Sequence, residues 1–330
     1  KTYAIRKYAN NQKLNLIEIN FLEDTTAKKI FNGAKDAKDV LLRISAHTRQ
    51  KTSDANTLIF FDEVQQCPEV ITWIKFLVDE GSCKYALSGS LLGVELKDIR
   101  SVPVGYMTIK EVCPLDLIEF SMALGLSEEV LGSLRECWEK QTPVDAVIHE
   151  SMLRLVRLYL VVGGMPAAVL AHVQQKDISQ YDLDNKLKIR EMFDLIPSEL
   201  DAKNKRFILK NLNEHARFSK YADSVLWLKD AGVALPTYNV KEPTVPLKLN
   251  EQRNLFKLFQ NDIGLLACQY ASGIQMKILN DEISINYGAI YENFVAQELV
   301  AHGFGGNEHC IYYYNNKRQG ELDFVIEQDG

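Results

Sequence analysis

The pattern of apolar and polar positions changes along the chain. At the N-terminal end, short apolar runs of strand length alternate with stretches of helical spacing. The segments KLNLIEINF, TLIFF and CKYALSGS predict strands, and TLIFF is typical of a strand buried on both faces of a parallel sheet. PEVITWIKFLVDEG has the spacing of an amphipathic helix, with Gly81 in position to end it. Strand–helix alternation of this kind predicts an α/β domain with a parallel sheet.

Helical patterns dominate beyond residue 112. LSEEVLGSLRECWEK and TPVDAVIHESMLRLVRLYLVVGG both have helical spacing. Residues 187–240 are interpreted as three helices followed by the strand VALPTYNV, an order that suits a winged-helix fold. The last part, 246–330, combines a helix through YENFVAQELVAH with two strands, CIYYYN and ELDFVIE. The chain therefore predicts an α/β part, a helical part and a second mixed part.

The composition is that of a globular protein. Of 330 residues, 46% are hydrophobic and 25% are charged, and the length predicts two or three domains. The net charge of −6 argues against a protein that wraps nucleic acid, although a local basic patch stays open. Six cysteines without a CxxC pair predict reduced thiols and a cytoplasmic protein. No apolar run approaches the roughly 18 residues that a membrane span needs.

The strongest chemical signal is TLIFFDEVQ, in which Asp62 and Glu63 directly follow the apolar strand. In α/β proteins this end of a parallel strand lies at the edge where ligands bind. An Asp there holds Mg²⁺ against nucleotide phosphates, often through water, and an adjacent Glu orients or deprotonates the attacking water. The pattern is that of a Walker B motif with its catalytic glutamate. The alternative is a solvated acidic pair that ends a strand.

A second polar group follows the next predicted strand. YALSGS ends in Ser88, Gly89 and Ser90. ATPases with a Walker B motif place a polar sensor of the γ-phosphate on the adjacent strand, so Ser88 or Ser90 is the predicted sensor. The alternative is an ordinary turn, for which Ser and Gly are common residues.

Lys1 and Thr2 lie ahead of a predicted helix, a strand and the Walker B motif. A P-loop has the sequence G-x-x-x-x-G-K-[ST] and leads into a helix; its Lys reaches the β- and γ-phosphates and its hydroxyl coordinates Mg²⁺. We predict that Lys1 and Thr2 end such a loop, and we expect its glycines to precede Lys1 in the full protein. A Lys-Thr dipeptide alone indicates nothing, because such dipeptides are common. The prediction rests on its position ahead of a helix, a strand and the Walker B pattern.

Two carboxylates near the C-terminal end lie in unusual positions. Asp323 lies opposite the apolar positions of ELDFVIE, and Glu292 lies on an apolar helix face. A carboxylate there is costly unless it has a partner or a purpose. A helix Glu, a strand Asp and a following Glu-x-Lys strand look like the PD-(D/E)xK nuclease core, which binds Mg²⁺ between carboxylates. We expect that last strand to follow Gly330; the alternative is a pair of structural residues in a nuclease-like fold without activity.

The motifs together make the chain similar to a known family. Residues 1–330 resemble the bacterial and archaeal ATP-binding proteins that join an AAA-type P-loop ATPase to a C-terminal domain of uncharacterised function. The resemblance rests on landmarks that occur in order along the chain: TLIFFDEVQQCPE, ALSGSLLGV, EVCPLDLIEF, YLVVGGMPAAV, WLKDAGVALPTYNV, FKLFQNDIGLL, GAIYENFVAQEL and GELDFVIE.

This resemblance implies the fold class, which is α/β: a P-loop NTPase domain of AAA type with a parallel sheet, a helical lid, a winged-helix segment and a C-terminal α/β domain like a restriction endonuclease. The expected bounds are 1–115 for the ATPase core, incomplete at its N-terminus, 116–184 for the lid, 185–245 for the winged-helix segment, and 246–330 for the nuclease-like domain, incomplete at its C-terminus. In the lid, Gly163–Gly164 is a predicted hinge, with a simple helix break as the alternative.

Basic residues give weaker signals. Arg100 lies beyond the sensor strand and is a candidate arginine finger for a neighbouring subunit. The family often has an Arg after the glycine near Gly105, where this chain has Tyr106, and this departure weakens any such assignment. Arg217 and Lys220 are the best candidates for phosphate contacts of the winged-helix segment with DNA. Acidic residues on the same helix favour a structural spacer or an ATPase-coupled lever at least equally.

We therefore expect a cytoplasmic, Mg²⁺-dependent ATP-binding protein, a slow ATPase that acts as a nucleotide-driven switch. Lys1 would hold the phosphates, Thr2 would ligate Mg²⁺, Asp62 would support the ion and Glu63 would orient water. ATP is the expected ligand and no membrane partner is expected, while DNA, a protein partner and a second copy of the chain stay open. The alternatives are an ATPase-regulated DNA-binding or nuclease protein and an interaction module that binds ATP structurally.

Overall fold

A computed structural model of the chain divides into two compact units, Lys1–Val112 (unit 1) and Cys113–Gly330 (unit 2). For residues 187–191, 219 and 220 it describes the backbone only. The residues that the structure describes are 1–52, 54–89, 105–173, 187–202, 205–212, 218–270, 273–282, 287–305, 310–316 and 318–328.

Unit 1 is built on three parallel strands in the order β1–β2–β3, as the alternating pattern predicts. The parallel sheet is confirmed, and TLIFF forms most of its central strand. In chain order the described elements are α1 (Thr2–Asn11), β1 (Asn15–Asn20), a 3-10 helix (Thr25–Ile30), α2 (Ala37–Thr48), β2 (Thr57–Asp62), a 3-10 turn (Val64–Gln66), α3 (Glu69–Glu80) and β3 (Lys84–Leu87).

The core of unit 1 explains why β2 carries so long an apolar run. All six residues of β2 are buried, because strands cover both of its edges and helices cover its faces. Phe61 stacks on Phe21 with ring centroids 6.0 Å apart, and Phe31 meets Phe61 edge-on at 5.9 Å. This aromatic cluster fixes the strand whose end carries Asp62.

Unit 2 contains a four-stranded mixed sheet in the order β5–β4–β6–β7. Strand β4 pairs antiparallel with β5 and parallel with β6, and β6 pairs antiparallel with β7. The described elements are α4 (Leu117–Ala123), α5 (Glu128–Glu139), α6 (Ala146–Val162), α7 (Pro166–Val173), α8 (Leu187–Asp201), a 3-10 turn (Leu209–Asn211), α9 (Phe218–Asp230), β4 (Ala234–Val240), a 3-10 turn (Leu247–Asn250), β5 (Glu251–Gln260), α10 (Ile263–Gln269), α11 (Ile274–Leu279), α12 (Gly288–Ala301), β6 (Tyr312–Asn316) and β7 (Gly320–Val325).

One hydrophobic cluster runs through the three segments predicted as lid, winged helix and nuclease-like domain. It joins Phe120 and Tyr159 of the first, Ile196 and Val225 of the second, and Phe256 of the third. Between α8 and α9, where the second of the three predicted helices would lie, the described residues form a short 3-10 turn, and β4 is an inner strand of the mixed sheet. The winged-helix fold is not confirmed, and the three-part division stays a prediction.

The glycines at the end of α6 are a packed junction, whereas the sequence predicted a hinge. Gly163 has φ +75°, and the N–H of Gly164 donates to Oδ2 of Asp262 at 2.7 Å. The carbonyl oxygen of Gly164 accepts a bond from the N–H of Leu115 at 2.8 Å. A Cβ would lie 2.2 Å from Oδ1 of Asp262 at position 163 and 2.0 Å from the Leu115 oxygen at position 164. Close approach of three segments therefore requires glycine at both positions.

Within the described ranges, no single helix is long and apolar enough to cross a membrane. One pair, Ala146–Val162 with Pro166–Val173, meets the length and composition test when taken together, and the two helices are bent by 120°.

Candidate functional site

Asp62, at the carboxyl end of β2, lies at the centre of a hydrogen-bonded group. The residue is 2% exposed. Its Oδ2 accepts bonds from the hydroxyl of Thr2 at 2.9 Å and from the side-chain amide of Asn20 at 3.3 Å. Its Oδ1 accepts bonds from the hydroxyl of Ser88 at 2.5 Å and from the N–H of Glu63 at 3.1 Å. Four donors thus fix the position of one carboxylate.

The sheet brings these donors together. Strands β1 and β2 pair in parallel with Asn20 opposite Asp62. Strand β3 ends at Leu87, and the N–H of Ser88 donates to the carbonyl oxygen of Phe61 at 2.9 Å. The carboxyl ends of parallel strands lie at one edge of a sheet, so side chains from all three strands converge there.

Helix α1 supplies the other side of the group. Thr2 is its first residue, Lys1 precedes it, and no described side chain caps its first turn. The ammonium of Lys1 donates to the carbonyl oxygen of Gly89 at 3.1 Å. Of the predicted site residues, the structure therefore brings Lys1, Thr2, Asp62 and Ser88 to one place.

Glu63 is next to this group, but its carboxylate bonds within its own turn. Its backbone is left-handed, with φ +56° and ψ 46°, which is uncommon for a residue with a side chain. Its Oε2 accepts a hydrogen bond from the side-chain amide of Gln65. The N–H of Val64 donates to the carbonyl oxygen of Ser88 at 3.1 Å, so this turn is tied to the chain after β3.

Asn20 is a residue of this site that sequence reasoning missed. Its Oδ1 accepts bonds from the N–H groups of Leu22 at 2.9 Å and Glu23 at 3.1 Å, which orients its amide toward Asp62. A single Asn matches no motif. The available signal was its position, because Asn20 ends the strand that precedes β2 along the chain, and the carboxyl ends of parallel strands meet at one edge of the sheet.

Several predicted residues cannot be placed in this group. Ser90, Arg100 and Arg217 lie outside the described residues, and of Lys220 only the backbone is described. Tyr106 is described, and its ring centroid lies 5.4 Å from the ammonium of Lys75.

In unit 2, the predicted pair Glu292 and Asp323 meets at a lysine. The ammonium of Lys257, on β5, lies 3.2 Å from Oε2 of Glu292 and 3.3 Å from Oδ1 of Asp323. It also lies 3.4 Å from Oε1 of Glu321. The ammonium of Lys205 binds the other oxygen of Glu292. We call these five side chains the Lys257 cluster.

Lys257 is the second residue that sequence reasoning missed. Its side chain is 0% exposed, and it stands between Phe256 and Leu258 in the apolar run FKLF. A lone lysine in a buried strand signals a buried partner, since burial of an unpaired charge is very costly. Its three carboxylate partners, Glu292, Glu321 and Asp323, lie 35 to 66 positions away along the chain, so no local sequence pattern could identify them.

Comparison with known proteins characterises unit 1 more closely than unit 2. Residues 1–121 match the family model of an AAA domain. This match and the parallel sheet support an AAA-type P-loop family for the N-terminal part of the chain, with a nucleotide-binding function of the ATPase type. Proteins of this kind generally use ATP and Mg²⁺.

Two further models match unit 2. Residues 153–277 match a domain of unknown function (DUF8612), and residues 287–330 match another domain of unknown function (DUF4143). Comparison with curated proteins and with solved structures found no match. The C-terminal part therefore resembles uncharacterised domains, and the predicted nuclease-like character of Glu292 and Asp323 stays a prediction.

The group around Asp62 fits the chemistry of a magnesium–nucleotide site. Among the described residues there is no set of three or more His, Cys, Asp or Glu side chains that could hold a metal. A nucleotide-bound Mg²⁺ needs no such set, because phosphate oxygens and waters supply most of its ligands. Thr2 offers a hydroxyl beside the Asp62 carboxylate at 2.9 Å, which are the ligand types that this ion takes from P-loop proteins.

Proposed function

We propose that unit 1 binds ATP together with Mg²⁺ and hydrolyses it slowly, so that the protein works as a nucleotide-driven switch. The observation that carries the proposal is the bond between the hydroxyl of Thr2, at the start of α1, and the carboxylate of Asp62, at the end of β2. A hydroxyl and a carboxylate from these two positions are the protein's contribution to the ion in P-loop NTPases.

The start of α1 suits the phosphates. Backbone N–H groups in the first turn of a helix have no partner within the helix, and the helix dipole favours an anion there. No described side chain caps this turn, so its N–H groups are available to phosphate oxygens. Lys1 adds a positive charge at the same end; it would exchange the carbonyl oxygen of Gly89 for a phosphate oxygen.

The roles of the remaining residues follow from their positions. Thr2 and Asp62 would hold Mg²⁺, which when bound would supply positive charge against the phosphates. The carboxylate of Asp62 would lie beside the ion. The hydroxyl of Ser88 donates to that carboxylate, so a change in the position of Asp62 when the γ-phosphate binds or leaves would also move the residues that follow β3. Glu63 would accept the proton of the attacking water at its carboxylate.

The bond between Glu63 and Gln65 supports slow turnover. The carboxylate of Glu63 accepts a hydrogen bond from the side-chain amide of Gln65. This bond must break before the carboxylate can orient water. Only those molecules in which the Glu63 carboxylate is free of Gln65 could activate water, so the average rate of ATP hydrolysis would be low. The same movement of Glu63 would change the conformation of the turn Val64–Gln66 with the nucleotide state. This change in conformation is what we mean by a switch.

The test is ATP binding by the full-length protein, measured by calorimetry with Mg²⁺ and with EDTA. Lys1→Met should weaken binding in both conditions by tenfold or more, because a charge-assisted bond contributes about 1.5–3 kcal/mol. Thr2→Val should weaken binding only when Mg²⁺ is present. Lys7→Met, an exposed lysine on the same helix, is the matched control and should bind as the wild type does. Wild-type affinity in Lys1→Met and Thr2→Val would overturn the proposal.

A further inference from the structure

The charges of the chain are unevenly distributed. Residues 28–51, all of which the structure describes, hold seven Lys and Arg and two Asp, a net charge of +5. The other residues hold 31 Lys and Arg and 42 Asp and Glu, a net charge of −11. A basic segment on an otherwise acidic chain indicates that this part of the surface attracts an anionic partner.

The two helices of this segment run antiparallel and side by side. Nε2 of His47, in the last turn of α2, lies 2.5 Å from Oδ2 of Asp24, which caps the start of the 3-10 helix before α2. One turn earlier in α2, the guanidinium of Arg43 donates to the carbonyl oxygen of Ile30, the last residue of that 3-10 helix, at 3.2 Å. The outer sides of the two helices therefore form one continuous surface.

Both helices pack their apolar side chains against the core and leave their basic side chains in solvent. Ile30, Val40 and Ile44 are at most 4% exposed. We call the basic side chains on the outside of this segment the basic face: Lys28, which is half-buried, and Lys29, Lys35, Lys38, Arg49 and Lys51, which are exposed.

The two acidic residues of the segment already have partners. Asp36 caps α2 by accepting the N–H of Asp39 at 2.8 Å, and Asp39 accepts a bond from the guanidinium of Arg43 at 3.2 Å. The ion pairs that the structure describes for this segment are Arg43 with Asp39 and His47 with Asp24, and neither includes the basic face. The charges of the basic face are therefore available to a partner.

The composition of this surface favours one class of partner. Leu42, at 69% exposure, is the only exposed large apolar side chain of the described segment 28–51, whereas a helix that lies on a bilayer needs a broad exposed apolar face. Protein interfaces are rich in aromatic residues and poor in lysine. Five of the six residues of the basic face are lysines, and lysine and arginine are the usual contacts of nucleic-acid phosphates.

The length of the surface suits several phosphates at once. Lys38 lies in the first turn of α2 and Arg49 follows its last residue, so the basic face extends along the whole helix of 12 residues, ~18 Å. Duplex DNA carries one negative charge per ~1.7 Å of its axis. Six side chains spread over this length could therefore contact about four to six phosphates.

We propose that the basic face binds the phosphate backbone of nucleic acid and does not read the base sequence. This places nucleic-acid contact on unit 1, whereas the sequence suggested Arg217 and Lys220 of the predicted winged-helix segment. The negative charge of the remaining chain repels a polyanion and restricts the contact to the basic face. The proposal goes beyond ATP binding and does not depend on it.

The experiment measures the binding of the full-length protein to a fluorescently labelled DNA duplex by fluorescence anisotropy, with EDTA and without nucleotide. Between about 50 and 200 mM salt, the logarithm of the binding constant should fall linearly with the logarithm of the salt concentration, with a slope of about −4 to −5. A duplex of unrelated sequence and equal length should bind equally. The triple variant Lys29→Gln/Lys35→Gln/Lys38→Gln should lose at least tenfold in affinity at the lowest salt, and its slope should be less steep by about 3.

The control variant Lys241→Gln/Lys248→Gln/Lys277→Gln removes three exposed lysines of unit 2 and changes the net charge equally. It should bind DNA as the wild type does, and thermal unfolding would verify that both variants are folded. Equal losses in the two variants, or no DNA binding by the folded wild type, would overturn the proposal. Binding to anionic phospholipid vesicles or to polyglutamate, but not to DNA, would assign the surface to a membrane or an acidic protein and would also overturn it. No nucleotide is present, so these outcomes leave the ATP proposal untouched.

Discussion

The hydroxyl of Thr2 donates a hydrogen bond of 2.9 Å to Oδ2 of Asp62, across 60 positions of the chain. This bond connects the first residue of α1 to the last residue of β2. It places a hydroxyl and a carboxylate side by side at the sheet edge where α/β proteins bind ligands. The proposal of an ATP site depends on this pair more than on any other contact.

The first prediction concerns the carboxylate itself. In Asp62→Asn, an amide N–H₂ replaces one oxygen and must face donors such as Asn20 or the N–H of Glu63. Lost charge-assisted bonds and a mismatched donor should lower the free energy of unfolding of unit 1 by about 1–3 kcal/mol. Urea denaturation of the full-length protein measures the change. Asp79→Asn, an exposed carboxylate on α3, is the control and should change stability by less than about 0.5 kcal/mol.

Equal stability of Asp62→Asn and the Asp79→Asn control would show that the four bonds to Asp62 do not stabilise unit 1. Their role would then be confined to ligand binding.

The second prediction concerns the junction at the end of α6. In Gly164→Ala, a Cβ would lie 2.0 Å from the carbonyl oxygen of Leu115, which belongs to the backbone and cannot swing away. We expect a loss of 2 kcal/mol or more in stability, because overpacking a tight site typically costs about 1–3 kcal/mol and this contact is severe. The change would be measured as a shift of the thermal unfolding midpoint of unit 2.

Gly132→Ala serves as the matched control for that substitution. Gly132 lies inside α5, and a Cβ there meets nothing within 4 Å. Alanine should stabilise the helix by about 0.5–1 kcal/mol. If Gly164→Ala behaved like Gly132→Ala, the close approach of Gly164 to Leu115 would not exist in solution.

The sequence predicted unit 1 better than unit 2 for a physical reason. The parallel sheet could be predicted from local apolar runs. The continuous apolar sequence TLIFF is enough to predict a strand that is buried on both faces. The convergence of Thr2, Asp62 and Ser88 also follows, because the order of the elements along the chain determines which ends meet. Asn20 was missed because one polar residue at the end of a strand has no pattern of its own.

In unit 2 the decisive contacts are distant along the chain. Strand β4 pairs with β6, which lies more than 70 positions later in the chain, and no local sequence pattern predicts that pairing. Lys257 on β5 reaches Asp323 on β7, although these strands lie at the two ends of the sheet order, and such an approach is a property of the assembled strands. The sequence predicts a hinge or a simple helix break at Gly163–Gly164; in the structure α6 ends there, and the absence of side chains lets Asp262 and Leu115 approach, which no local pattern predicts.

The third prediction concerns pH. Burial raises the pKa of Asp262 above its usual value, although N–H groups, that of Gly164 among them, donate to its carboxylate and partly offset this. A carboxyl whose pKa is raised in the folded state favours folding most at low pH. That contribution is lost as the pH rises from about 4, the usual Asp value, through the raised pKa.

Asp262→Asn removes this titration and leaves the other groups of the protein in place. The wild type should therefore lose stability relative to Asp262→Asn as the pH rises from 4 to 7. Urea denaturation of both proteins at several pH values measures the difference, in which shared titrations cancel. A difference that stays constant, or that changes in favour of the wild type, would contradict the predicted direction.

The central claim is ATP hydrolysis with Glu63 as the residue that activates water. The most direct measurement is phosphate release from Mg²⁺-ATP by the full-length protein, compared with its Glu63→Gln variant. We predict that the variant binds ATP as tightly as the wild type but turns it over at least 10²-fold more slowly, the usual effect of losing a general base. Glu23→Gln, an exposed neighbour at the same sheet edge, should keep wild-type turnover. Equal turnover in Glu63→Gln and the wild type, or no turnover by a wild-type protein that binds ATP, would contradict the claim.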